Sequence, residues 1–292
     1  MNKQTSKTGL FMLAFLAAAI SGLFGEAPPA PDTPPVSIYA EAELGAVKIL
    51  HHVIQVGQDG TEFNYLTQGG QELLLPFQRL AAGLELGTRN RIQVLYQPLE
   101  VVTNVRFRED VTVDGITFAQ GSPMQLTYSF PFYRLSWWYD FIADPRLDLS
   151  AGISLQLRNA SIRFQNLEAA AGTTAAGQLT VSQNLGLVPA LNLYAGYRFA
   201  SGFGLSLDVV GIYAGSAFIN GADFDFEGSL LDASLRASYP VKDLGEAFVN
   251  LRFLGGTSRG TSQYPDQFWT QSIEKFTMNN LATLALTLGA RL

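Results

Sequence analysis

The 292-residue sequence contains no cysteine, so it forms no disulfide bonds, and this absence leaves the cellular compartment open. Charged residues make up only 15% of the chain, well below the ~25% of ordinary soluble domains. The net charge is −6. No basic patch is present to neutralise phosphates, so nucleic acid is not a predicted partner.

Lysine is also scarce. The 19 basic residues comprise five Lys and fourteen Arg, and two of the lysines, Lys3 and Lys7, lie in the N-terminal segment. A soluble surface uses Lys freely, whereas Arg is preferred where a charge is held in a fixed, partly desolvated pairing. The excess of Arg therefore indicates enclosed charges.

Only two histidines are present, His51 and His52. Neighbouring residues of a strand point to opposite faces, so at most one of the two faces an interior. Metal sites and acid–base sites need several groups that converge on one point. A structural or interfacial role for both histidines is the favoured interpretation, and the sequence predicts neither a metal nor a cofactor.

The N-terminus has the organisation of a signal peptide. Lys3 and Lys7 precede an apolar run, Leu10 to Ile20, and small residues follow from Ser21. The run is shorter than the ~20 residues that a membrane-spanning helix needs. Residues 1–25 are therefore predicted to be a signal peptide, with no following cysteine for a lipid anchor. Residues 26–36 are Pro-rich and predicted to be a periplasmic tether.

From Val36 onward no long helical period occurs, and apolar residues recur at every second position instead. In the last stretch Leu284, Leu286 and Leu288 alternate with Thr283, Ala285 and Thr287. Ten such segments are predicted to be strands: Ser37–Val56, Leu73–Gly87, Arg91–Thr103, Met124–Ile142, Arg146–Phe164, Leu179–Phe199, Phe203–Phe218, Glu227–Tyr239, Glu246–Thr257 and Asn279–Leu292.

The connections between these segments alternate in length. Short ones lie at residues 88–90, 143–145, 201–202 and 240–245, and long ones at residues 57–72, 104–123, 165–178, 219–226 and 258–274. Aromatic residues gather beside the short connections: Tyr139, Phe141, Tyr197, Phe199, Phe203 and Tyr239. Short turns at one end, long loops at the other and an even strand number are typical of outer-membrane barrels.

Together these features resemble bacterial outer-membrane β-barrels. Gly115–Pro123, Tyr128 and Tyr133–Leu135 are similar to segments of small barrels of this kind, although the chain ends in Leu292 where such barrels commonly end in Phe or Trp. The resemblance implies an all-β fold, a transmembrane antiparallel up-and-down β-barrel of about ten strands over residues 37–292, in a Gram-negative outer membrane.

The same resemblance implies contact with outer-membrane lipid and lipopolysaccharide, assembly by the barrel-assembly machinery, and a monomer. A soluble all-β sandwich or lipocalin-like barrel is the alternative. The Arg excess, the small residues and paired charges of the polar faces, and the alternating loop lengths favour the membrane barrel.

The polar faces of the strands carry charges of both signs. A charge that faces lipid costs about 2–4 kcal/mol at the bilayer midplane, so these side chains are predicted to face the lumen. They either form an ion-pair network that fills the barrel or line a pore that selects solutes, and ten strands with long Arg side chains favour a filled or narrow lumen. The predicted network consists of Glu41, Glu43, Arg79, Glu85, Arg91, Arg134, Asp140, Arg146, Asp148, Arg158, Arg198, Asp208, Asp232, Arg236, Arg252 and Arg291.

Three function classes stay open: a structural or surface-interaction barrel, a narrow pore for passive uptake of small solutes, and an outer-membrane enzyme. The first is favoured and the third disfavoured, because no Asp-x-His pair like that of omptin-like proteases is present and neither histidine has a Ser beside it or two positions away.

Asp223, Asp225 and Glu227 share one face of an extended segment and form a weak candidate Ca²⁺ or Mg²⁺ site, for which a solvated loop is the favoured interpretation.

Overall fold

The computed structural model describes residues 36–142, 144–168, 178–215, 226–242, 245–261 and 276–292. The predicted signal peptide and the tether, except for Val36, lie outside these residues. The described chain is all-β. No stretch of it forms an apolar helix of the length that crosses a bilayer.

Ten antiparallel strands close into a barrel, as the sequence predicts. The last strand pairs with the first from Glu41↔Arg291 to Val56↔Thr277, and the Leu292 amide donates a hydrogen bond to the Ala40 carbonyl at 2.9 Å. The barrel strands are β1 (Val36–Val56), β3 (Leu74–Leu86), β4 (Asn90–Gln97), β9 (Phe132–Asp140), β10 (Leu147–Asn166), β11 (Gln178–Arg198), β12 (Gly204–Gly215), β13 (Phe226–Val241), β14 (Gly245–Thr261) and β15 (Phe276–Arg291).

Five further strands are shorter: β2 (Phe63–Asn64), β5 (Glu100–Arg106), β6 (Val111–Val113), β7 (Ile116–Phe118) and β8 (Pro123–Ser129). β5 continues β4 after a break at Pro98, and β8 leads into β9 through Pro131. β5 pairs with β8, and β8 pairs with the outer part of β10. The third and fourth predicted segments are therefore each divided in two by a proline, which cannot donate a ladder hydrogen bond.

A hairpin of β6 and β7 lies within residues 104–123, which the sequence analysis assigned to a connection. Asp114 and Gly115 form its two-residue turn, with φ angles of 53° and 74°. An Asp-Gly pair between short β-branched runs is the usual signal for such a hairpin. The long connection predicted at residues 104–123 therefore contains a hairpin that was not predicted.

The short connections all lie at one end of the barrel, which we call the turn end, together with Val36 and Leu292. The opposite end is the loop end. At the turn end Phe141, Tyr197, Phe199 and Tyr239 are exposed, and together they form a girdle of aromatic side chains beside the short connections. Contacts between Tyr197 and Phe199, at 4.9 Å between ring centroids, connect neighbouring members of this girdle.

Outward and inward side chains alternate along the strands, as the sequence pattern predicts. On β15, Leu284, Leu286 and Leu288 are exposed on the outside, whereas Thr283 and Thr287 are buried inside. Leucine residues with the same orientation occur on neighbouring strands, so the outer wall carries an apolar band.

A β-bulge in β1 changes the face on which its later residues lie. The register to β15 shifts between Ile49 and His51, so that Leu50 and His51 both lie outward and His52 lies inward. A bulge inserts one unpaired residue and so inverts the alternation beyond it. The two histidines occupy opposite faces, as predicted, and the bulge decides which of them enters the barrel.

Candidate functional site

The interior of the turn half contains a layer of ion pairs centred on Asp232. Arg134 Nη1 donates to Asp232 Oδ2 at 2.7 Å and Arg79 Nη1 to the same oxygen at 3.1 Å, while Arg252 Nη1 donates to Oδ1 at 3.1 Å. These four side chains are each at most 6% exposed. Arg79 on β3 and Arg134 on β9 reach Asp232 on β13 across the lumen, whereas Arg252 lies on the neighbouring strand β14.

The layer continues from Asp232 towards the turn end through alternating charges. Arg252 also binds Glu43 at 3.0 Å, and Arg236 contacts Glu43 at 3.6 Å and Glu41 at 2.9 Å. Arg291 lies 3.9 Å from Glu41 and donates to Glu85. Nine of the sixteen side chains predicted from the sequence thus form one connected network, which we call the ion-pair layer: Glu41, Glu43, Arg79, Glu85, Arg134, Asp232, Arg236, Arg252 and Arg291.

Neutral side chains complete the hydrogen bonding of the buried carboxylates and guanidinium groups. Glu43 accepts from Thr287 Oγ1 at 3.0 Å and Asn250 Nδ2 at 3.3 Å. Arg134 donates twice to Gln156 Oε1, at 3.0 and 2.8 Å, and Arg79 donates to Gln97 at 3.0 Å. Buried charges are stabilised only when such additional hydrogen bonds accompany the pairing.

Aromatic rings cover several of the guanidinium planes. Arg91 lies over Trp138 at 4.8 Å and over Tyr194 at 4.4 Å, measured from Cζ to the ring centroids. Arg236 and Arg291 stack similarly, at 3.8 and 3.9 Å, on Phe248 and Tyr39. A planar guanidinium forms ion pairs at its edge and stacks on its face at once, which an ammonium cannot do. This geometry accounts for the preference for Arg over Lys.

Other members of the predicted set lie apart from the ion-pair layer. Arg91 approaches Asp148 at 3.7 Å, and Arg198 pairs at 2.7 Å with Glu246, which the sequence analysis did not single out. Glu246 follows the short turn that opens β14, and its alternation with Asn250 and Arg252 was a signal for the inward face.

Four of the sixteen predicted charged residues are not part of these pairs. Asp208 lines the cavity beside the ion-pair layer, and its Oδ1 has no hydrogen-bond partner among the described residues. Asp140 lies at the turn end, where it accepts from the Ile142 amide at 2.9 Å, and Arg146 is exposed there. The side chain of Arg158 lies outside the described part of the chain.

The interior of the loop half differs, because most of its buried side chains are apolar. Inward residues of the barrel strands pack there against Phe63 and Tyr65 of the first long connection and against the segment that includes β5 to β8. We call this set the apolar cluster; its buried members are Ile49, Ile54, Val56, Phe63, Tyr65, Leu95, Leu99, Val101, Phe107, Val111, Val113, Phe118, Met124, Leu126, Tyr128, Phe130, Phe132, Ile162, Phe164, Leu230, Leu254 and Leu281.

The apolar cluster was not predicted from the sequence. A signal was present at Val53–Ile54, where neighbouring residues on opposite faces are both apolar. Runs that are apolar on both faces are typical of strands buried on both sides.

His52 is enclosed by the apolar cluster. Its ring stacks on Tyr65, 4.3 Å between centroids, meets Tyr128 edge-on at 4.3 Å, and its Nδ1 lies 2.7 Å from Gln71 Oε1. These neighbours are two tyrosines and an amide, and no carboxylate among them orients the ring as a general base. Its surroundings support the structural interpretation of this histidine.

No group of three His, Asp or Glu residues that suits a metal ion occurs in the part of the chain that the structure describes. The weak metal candidate is placed only in part, because Asp223 and Asp225 lie outside the described residues. Glu227 begins the described side chains of β13 and accepts a hydrogen bond from Tyr213 at 2.6 Å.

Two neighbouring spaces lie in the turn half, and both are lined in part by Arg91, Arg236 and Arg291. The outer one has a volume of about 200 Å³ and is lined by charged residues that include Arg146, Asp148 and Arg198. The inner one, beside Glu43, Asp208 and Arg252, has a volume of only about 50 Å³. The interior therefore narrows from the turn end towards the ion-pair layer.

No known family of sequences matches this chain, and no curated protein is similar to it. Among solved structures, the outer membrane protease OmpT of Escherichia coli is 10% identical, with a TM-score of 0.48 over 90% of this chain and 99% of that one. A Pseudomonas aeruginosa FadL homologue is 9% identical, with a TM-score of 0.33 over 87% of this chain and 90% of that one.

The Pseudomonas putida toluene transporter TodX is 10% identical, with a TM-score of 0.33 over 90% of this chain and 91% of that one. These proteins differ in activity, so the likeness concerns the fold alone. The described part of this chain itself forms an antiparallel barrel closed by ten strands.

Proposed function

We propose that this chain is an integral outer-membrane barrel with a closed interior, and that its role is structural or surface interaction rather than conduction or catalysis. In this proposal the signal peptide directs export, the turn end faces the periplasm, and the barrel-assembly machinery inserts the chain as a monomer. Lipid and lipopolysaccharide surround the apolar band, and no metal or cofactor takes part.

The observation that carries the proposal is the apolar cluster. Leu230 and Leu254 from one side of the barrel and Leu95 and Phe164 from the other belong to the same packed set, each at most 4% exposed. Hydrophobic constrictions impede permeation because water leaves them. A lumen filled by packed aromatic and aliphatic side chains offers ions no hydrated path.

The ion-pair layer supports the same conclusion from the turn half. Its charges bind one another across the lumen, and the space beside them, about 50 Å³, holds at most a few water molecules. A selective pore would present these charges to solutes, whereas here they are paired with protein groups.

The pore remains the second candidate because of the space of about 200 Å³ that opens at the turn end. Planar-bilayer recordings distinguish the two. We expect the unmodified protein to show no discrete conductance steps, and steps in repeated insertions of the purified protein would establish the pore instead.

A matched pair of variants extends this experiment. Combined Phe63→Ala and Tyr65→Ala substitutions remove two rings from the apolar cluster and are expected to produce intermittent conductance. Substitution of the exposed Leu286 by Ala serves as the control and should produce no conductance steps. Membrane insertion itself is checked by a gel shift between boiled and unboiled protein, and full extraction by carbonate would exclude it.

A further inference from the structure

The barrel wall has an unpaired stretch between β3 and β5, which we call the seam. β3 pairs with β4 only from Leu80↔Tyr96 to Leu86↔Asn90, yet β3 extends outward as far as Leu74. Residues 74–79 bond to β1 on one edge and have no strand partner on the other among the described residues. β5 likewise pairs with β8 on one edge only.

Proline residues keep the two edges apart. A continued register would place Leu74 opposite Val102, but Pro98 interrupts the strand between β4 and β5, and Pro76 lies within β3. Pro76 is accommodated in the ladder with β1 only if its nitrogen faces the other edge, which is the seam. Proline on an open edge also disfavours the addition of a further β-strand.

A cavity of about 440 Å³ lies at the loop-end side of the seam. Gly70 and Glu72, which precede β3, form one wall, and Val105 and Arg106, which end β5, form the other. The cavity is thus bounded by the continuations of the two edges that fail to pair. Its volume falls in the range of about 300–1,000 Å³ typical of sites for small ligands.

The chemistry of the cavity is amphipathic. Leu66, Val105, Phe107 and Val111 give it an apolar back, and Phe107 and Val111 belong to the apolar cluster. Charged residues, including Arg106 and Arg108, lie at its rim. Such a cavity fits a hydrocarbon chain with a polar group at one end.

The surroundings of the seam indicate where that chain comes from. Leu74 and Leu80 on β3, and Val94 and Val102 on β4 and β5, are exposed on the outer wall at 50–69%. The seam is therefore flanked by the apolar band that contacts lipid in the proposed membrane location.

We propose that the seam admits an acyl chain of a bilayer lipid, which passes between β3 and β5 and ends in the cavity against Leu66, Val105 and Phe107. The inference rests on the proposed membrane location of the barrel. The site differs from the lumen, because the chain enters sideways through the wall and does not cross the ion-pair layer.

Photo-crosslinking tests this. The protein is reconstituted into vesicles of phosphatidylethanolamine and phosphatidylglycerol that contain a phosphatidylcholine with a diazirine near the end of one acyl chain. After illumination, adducts are located by peptide mass spectrometry. We expect adducts on outward residues such as Leu80 and also on Val105 or Phe107.

Val105→Trp fills the cavity and should reduce the adducts on its lining several-fold, and Leu66→Trp is a second filling variant if the first does not fold. Val94→Trp places the same ring on the outer wall as a control, and it should leave the number of adducts on the cavity lining unchanged. Adducts confined to outward residues, or cavity adducts that survive both filling variants, would overturn the inference while leaving the membrane location intact. Absence of adducts anywhere would overturn the membrane location as well.

Discussion

Asp232→Asn is the substitution that tests the ion-pair layer most directly. The Asp232 carboxylate accepts hydrogen bonds from three guanidinium groups, and all four side chains are almost fully buried. Removing one partner of a buried pair leaves an uncompensated charge and costs about 3–5 kcal/mol. Each Arg keeps one further partner, namely Gln97, Gln156 or Glu43, so we expect about 3 kcal/mol, the lower end of that range.

The measurement is reversible urea unfolding of the reconstituted barrel, followed by tryptophan fluorescence. Asp148→Asn is the matched control, because Asp148 is 37% exposed and approaches one Arg at 3.7 Å. Exposed pairs contribute about 1 kcal/mol or less. Equal losses in free energy of unfolding for the two variants would refute the reasoning.

A double-mutant cycle isolates the charge effect. Without the Asp232 carboxylate, Arg79, Arg134 and Arg252 repel one another, so Arg79→Gln should cost less free energy of unfolding in the Asp232→Asn background than in the unmodified protein. An identical cost in both backgrounds would show that the three guanidinium groups do not depend on this carboxylate.

Three other predictions concern the wall of the barrel. Gly289→Ala places a Cβ 2.3 Å from the Phe248 ring, and overpacking of this kind should lower the free energy of unfolding by about 1–3 kcal/mol; an unchanged urea midpoint would contradict it. Deletion of Leu50 removes the extra residue of the bulge but keeps Ile49 opposite Thr283, His51 opposite Ala282 and His52 inward, so the folded fraction on unboiled gels should be retained, whereas a deletion variant that does not fold would show that the bulge itself is required. Leu286→Arg places a charge in the apolar band and should cost about 2–4 kcal/mol in vesicles if the residue lies near the bilayer midplane, while Leu286→Ala provides the control.

The alternation of side chains was sufficient to predict the ten barrel strands, because each has one face outside and one inside. Leu284, Leu286 and Leu288 fall on the outer face for this reason, and most predicted strand limits lie within a few residues of those observed. The alternation says nothing about hydrogen-bond partners. It therefore could not show that the wall strands are interrupted at Pro98 and Pro131. Nor could it show that β5 pairs only with β8.

The interior was predicted only in part for a similar reason. A period of two identifies the inward residues but not what they meet across the lumen, which depends on residues far apart in the chain. The contact between Glu43 and Arg252 joins β1 to β14, and the stacking of His52 on Tyr65 depends on how the first long connection folds inward. Neither distance follows from local sequence.

The pairing of β1 with β15 has a consequence for how the chain acquires its structure. The first strand finds its final partner only after more than two hundred further residues have been synthesised, so the contact order is high and folding by local steps alone is impossible. Until then both edges of the sheet stay open and prone to aggregation. We therefore expect folding to be slow and nearly all-or-none, with Glu43 bonded to Thr287 only in the final step.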